Sequence, residues 1–87
     1  MFPEIKIIPC ESKSEAFALI NRIRDFISAH SFMKVSDLYE MLELTPIPEN
    51  ANRYCWLSIG EFGFGRDGDM YYVGSREPVE IIGEEHD

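Results

Sequence analysis

The chain has 87 residues, is 45% hydrophobic and 13% aromatic, and carries a formal net charge of −8. That length supports a single core, because so short a chain buries only about 60–65% of its unfolded surface. So many large apolar side chains exclude a disordered acidic polypeptide, and no apolar run approaches the roughly 18 residues of a membrane span.

The start, Met1-Phe2-Pro3-Glu4, lacks the basic and apolar regions of an export signal, so a cytoplasmic location is expected. Cys10 and Cys55 lie far apart without a Cys-x-x-Cys pair, and they read as buried free thiols in that setting. Charge is divided unevenly along the chain. Met1 to Lys34 carries five basic and four acidic residues, whereas only Arg53, Arg66 and Arg76 oppose twelve acids from Val35 onward. An acidic surface of that kind repels phosphate backbones, so direct nucleic-acid binding is not expected.

In chain order, Glu4 to Pro9 reads as a short strand, β-branched at Ile5, Ile7 and Ile8, with flanking prolines that suit a sheet edge. Ser12-Lys13-Ser14-Glu15 matches a capping box and predicts a long first helix. Its core stripe is Ala16, Ile20, Ile23 and Ile27, widened by Phe17, Leu19 and Phe26. After a break near His30 and Ser31, Ser36 is placed to cap a second helix. Its core face is Val35, Leu38, Tyr39 and Leu42, and it ends before Thr45-Pro46. Pro46 to Asn50 is loop. Arg53 to Ile59 reads either as strand or as a helical turn, because Trp56, Leu57 and Ile59 do not alternate cleanly.

Phe62 and Phe64 alternate with Gly63 and Gly65, Arg66-Asp67-Gly68-Asp69 supplies turn chemistry, and Met70 to Val73 continues in β-favouring residues. This is a hairpin. Val79 to Ile82 adds an edge strand, and residues 83–87 form an acidic tail. The expected architecture is one α+β domain over residues 1–87, with two helices packed on a small antiparallel sheet that contains the C-terminal β-hairpin.

The Gly63-Phe64-Gly65-Arg66-Asp67-Gly68 segment spells G-x-G-x-x-G, but a phosphate cradle needs a helix N-terminus directly after it, and here a hairpin follows. Asp67 and Asp69 supply too few oxygens for a calcium or magnesium site. His30 and His86 have no nucleophile beside them, and Cys55 between Tyr54 and Trp56 reads as packing. No nucleophile, base and orienting group assemble from these motifs, so no catalytic residue, cofactor or metal is expected.

The order Ser12-Lys13-Ser14-Glu15-Ala16, Val35-Ser36-Asp37-Leu38-Tyr39, Asn52-Arg53-Tyr54-Cys55-Trp56 and Arg66-Asp67-Gly68 resembles a family of small phage proteins. These proteins have no assigned function and come from phages, prophages and other mobile elements of Gram-positive bacteria. The resemblance spans roughly Ser12 to Ile81. Family members show V-A-D-L-Y-D, N-K-Y-G-W and R-D-G-Y, so this chain departs by Cys55 in place of glycine and by Asp69-Met70 before the tyrosines. It implies a mobile-element origin and carries over no activity.

The expected function is therefore that of a non-catalytic phage-type protein in the bacterial host cytoplasm that binds a host protein. An acidic inhibitor of a DNA-targeting defence nuclease, DNA-mimicking or anti-CRISPR-like, fits best. Its partner-binding residues would be Glu40, Glu43, Glu61, Asp67 and Asp69, with Tyr71 or Tyr72 as anchor. A second reading is an assembly protein that forms a homo-oligomer through a sheet edge or an aromatic face. A third is a winged-helix regulator, which would need basic residues of the first helix to reach DNA.

Overall fold

The structure is a computed structural model that describes residues 7–81. Its elements run β1 (Ile7–Cys10), α1 (Lys13–His30), β2 (Met33–Lys34), α2 (Val35–Met41), β3 (Tyr54–Trp56), β4 (Phe62–Asp67), β5 (Met70–Ser75) and β6 (Val79–Glu80). Short 3-10 turns occupy Ala51–Arg53 and Ile59–Glu61. The class is α+β, as expected. The expected single sheet, however, is two three-stranded antiparallel sheets, β1-β5-β4 and β2-β3-β6. The acidic tail lies outside the described residues.

Helix α1 forms where the local signals place it. The Glu15 amide donates to Ser12 Oγ at 3.1 Å, and the Glu15 carboxylate accepts from the Glu11 amide at 2.6 Å, so two amides at the helix start are satisfied. Ala16, Leu19, Ile23 and Ile27 form the buried stripe, with Ile20 and Phe26 half-buried beside it. The helix stops at Ser31, whose backbone adopts the left-handed region (φ 76°) and donates to Ile27 O at 2.7 Å.

The second helix starts earlier than the sequence reading places it. Val35 follows β2 directly, and the Asp37 carboxylate reaches back to the Lys34 amide at 3.0 Å, so Lys34 holds the cap position and Ser36 lies inside the first turn. Val35 and Leu38 are buried, and Tyr39 and Leu42 pack half-buried against the same core. Glu43 ends this segment in the left-handed region (φ 57°), while Leu44 N donates to Tyr39 O at 2.9 Å. Glycine would occupy that position at lower cost.

The ambiguous stretch from Arg53 to Ile59 contains both alternatives. A 3-10 turn leads into β3, and a second one follows it. Trp56 at the end of β3 is fully buried, its ring tilted against Phe62 of β4 with centroids 5.0 Å apart, and its Nε1 donates to Arg76 O at 2.8 Å. One side chain thus joins the two sheets. Cys10 and Cys55 are buried and not joined in a disulfide. Burial, and then the Glu15 carboxylate, push the Cys10 thiol above its ordinary pKa, which favours the unreactive protonated form.

Candidate interaction surface

The surface that concentrates the expected site residues is the β4–β5 hairpin. Its register is unbroken from Phe62↔Ser75 to Asp67↔Met70, and the turn is Gly68-Asp69. Gly68 has a positive φ (65°) and Asp69 does not, which is the residue pattern of a type II′ hairpin turn. Arg66 Nε donates to Gly68 O at 2.8 Å and so ties the arginine to the tip. Asp67 and Asp69 are both exposed there.

Strand alternation then divides the aromatic side chains. Phe62, Phe64, Tyr71 and Val73 face α1 and the core, together with Ile8 and Cys10 of β1. Phe17 of α1 stacks on Phe64 with centroids at 4.7 Å, and Phe64 stacks on Tyr71 at 5.8 Å. Lys13 Nζ lies 5.9 Å from the Phe17 centroid and Arg66 Cζ lies 5.6 Å from that of Tyr71. Tyr71 therefore belongs to a packed aromatic row.

The opposite face carries Ile7, Pro9, Met70, Tyr72 and three glycines, Gly63, Gly65 and Gly74, with Asp67 as its charge at the tip end. Ile7 is 64% exposed and Met70 49%. A shallow groove of about 380 Å³ runs along this face, bordered by Tyr72, Glu61 and Arg76. Of the two tyrosines considered for an anchor, Tyr72 is the one on the solvent side.

The Tyr72 ring lies across Gly65, where an added Cβ would collide with it, whereas nothing lies near a Cβ added at Gly63. Gly65→Ala is expected to displace the ring and lower stability by about 1 kcal/mol, the size of a cross-strand aromatic contact. Gly63→Ala should be neutral or slightly stabilising, through a less flexible unfolded chain. Urea denaturation of both variants checks this, and equal effects would show that the ring does not cover Gly65.

The remaining acidic candidates are not gathered at the hairpin tip. Glu61 precedes β4 at its other end. At about 3.3 Å per residue, the five steps from Phe62 to Asp67 cover roughly 17 Å, twice the Debye length of about 8 Å at physiological salt. Its carboxylate is also committed locally, accepting from the Leu57 amide at 2.9 Å and the Ser58 amide at 3.2 Å. Sequence reasoning missed this role, although Ser58-x-x-Glu61 is itself a capping-box spacing. Glu40 and Glu43 are exposed on and just beyond α2, a separate element from the hairpin.

Among the described residues, no group of three or more His, Cys, Asp or Glu side chains could hold a metal ion, and no helix is long and apolar enough to cross a membrane. No protein-family model, curated protein or solved structure matches the chain.

Proposed function

We propose that this is a non-catalytic protein of phage or mobile-element type that acts in the bacterial cytoplasm by binding a host protein, as an acidic inhibitor of a DNA-targeting defence nuclease. The observation that carries the reading is the hairpin tip. Asp67 and Asp69 are exposed on either side of the Gly68 turn, at the end of a sheet face that carries Tyr72 and has its other charged groups, Glu61 and Arg76, at the far end. Carboxylates on a rigid turn next to an aromatic ring can occupy a basic groove that otherwise holds nucleic-acid phosphates, with electrostatics setting the encounter rate and the ring adding contact area. Glu40 and Glu43 on and beyond α2 provide a second acidic contact. Glu61 contributes through the shape of the turn before β4, where its carboxylate caps two amides.

The test is inhibition of, and binding to, a panel of purified RNA-guided and restriction nucleases at low and high salt. Under this reading Asp67→Asn combined with Asp69→Asn weakens binding at least about tenfold and flattens its salt dependence, with the fold intact by circular dichroism. Unchanged binding and inhibition by that variant would rule out the acidic tip as the working surface. Between α2 and β3 the described residues contain a loop and a 3-10 turn but no recognition helix, and the hairpin packs against α1. These features favour a protein partner over the winged-helix reading.

A further inference from the structure

Among the described residues strand β4 is an edge, and the register shows which of its backbone groups turn away from β5. With a two-residue turn, Asp67 and Met70 form a hydrogen-bonded pair, so the hydrogen-bonded pairs of the hairpin are Asp67↔Met70, Gly65↔Tyr72 and Gly63↔Gly74. The amide and carbonyl of Phe64 and of Arg66 consequently point away from β5. Phe62 also faces outward, but its amide donates to Ile59 O within the preceding 3-10 turn.

The same alternation turns Tyr71 and Val73 of β5 toward Cys10 and Ile8 of β1, and leaves Pro9 facing outward from the opposite edge. A proline there offers no donor to an added strand, which is how natural sheets block an edge. Among the described residues no such device protects β4: it has no proline and no bulge, and its register is continuous. Beside it lie two exposed aromatic rings, Phe17 at 45% and Phe64 at 37% exposure.

We propose that β4 is a self-association edge, and that two copies of this chain join their β1-β5-β4 sheets through antiparallel β4–β4 pairing about a twofold axis at Gly65. The two fully outward residues straddle Gly65, so the twofold sets Phe64 of each copy against Arg66 of the other. The Phe64 N–H then donates to the Arg66 carbonyl of the second copy, and the Phe64 carbonyl accepts from the Arg66 amide of that copy, giving four new backbone hydrogen bonds across the axis. Each Arg66 guanidinium comes beside a Phe64 ring, a favourable cation and aromatic pair. Phe64 and Phe17 of both copies are covered at the seam, and the result is one six-stranded sheet with Pro9-blocked edges.

Net charge distinguishes this pairing from host binding, on which it does not depend. Two copies of charge −8 repel at long range, so the dimer should tighten as salt rises, whereas binding to a basic groove weakens.

The experiment is sedimentation equilibrium of the wild-type chain across concentration and salt, with amide hydrogen exchange at Phe64 and Arg66. A dimer whose Phe64 and Arg66 amides gain protection with concentration is expected. Phe64→Lys, which sets lysine against Arg66, should raise the dimer Kd at least about tenfold. Phe64→Glu should retain the dimer, and adding Arg66→Glu to Phe64→Lys should restore it. Circular dichroism verifies folding of each variant. A wild-type monomer at every concentration and salt would overturn the proposal and leave the edge to a strand from another protein. So would a dimer with unprotected Phe64 and Arg66 amides, or equal weakening by Phe64→Lys and Phe64→Glu.

Discussion

Replacing Trp56 with alanine is expected to remove about 3–5 kcal/mol of stability, the usual cost of emptying a fully buried indole site. A domain of 87 residues has roughly 4–13 kcal/mol in total, so this one change should leave the protein near or below its folding threshold at 37 °C. The reason is positional. Trp56 ends β3 in one small sheet, packs on Phe62 in the other, and hydrogen-bonds Arg76 O just beyond β5. Neither three-stranded sheet has a large core of its own: buried residues of both join one cluster on α1, and the indole is the largest side chain of that shared core.

Urea denaturation followed by far-ultraviolet circular dichroism measures the loss. Trp56→Phe separates the two contributions, since it retains most of the apolar volume but leaves the Arg76 carbonyl without its indole donor, a cost of about 1–3 kcal/mol. A Trp56→Ala variant within 1 kcal/mol of wild type would mean that the two sheets are held together elsewhere.

Ile23→Ala should cost about 3 kcal/mol and Ile20→Ala about half of that, although both isoleucines belong to the apolar stripe of α1. Ile23 is fully buried, packed in the core with Leu19 and Ile27, whereas Ile20 is half-buried at its margin. Truncation at position 23 leaves a cavity that the close-packed surroundings fill only in part, and truncation at position 20 returns part of the site to water. The comparison holds helix propensity constant, because the substitution is the same within one helix. Equal losses at the two positions would contradict the assignment of Ile23 to the centre of the core.

The hairpin and the α1 boundaries were legible in the sequence because both depend on neighbours in the chain. Ser12 and Glu15 cap the helix from three residues apart, and Gly68 supplies the positive φ that a two-residue turn requires. The candidate site was legible only in part. Asp67, Asp69 and Tyr72 do lie on one hairpin, but Tyr71 turns inward beneath Arg66 and beside Phe64. Which tyrosine faces water depends on which side of the strand meets α1, and a run of Met70-Tyr71-Tyr72-Val73 has no polar alternation to reveal it. Glu61 was grouped with the acidic surface because net charge counts a carboxylate without showing which amides it already satisfies.

Periodicity, capping and turn chemistry act within a few residues, and they sufficed for an α+β fold with a long capped first helix, a C-terminal hairpin and an acid-rich second half. Tertiary structure alone decided that the strands separate into two sheets. Strands β2, β3 and β6 have two, three and two residues, too few for a period of two to register. They exist because Met33 meets Trp56 and Cys55 meets Val79 across long stretches of chain. The same nonlocal pairing places Pro9 inside its edge strand instead of beside it and, among the described residues, leaves β4 as the open edge, because the direction of a backbone amide is set by its partner strand and not by its own side chain.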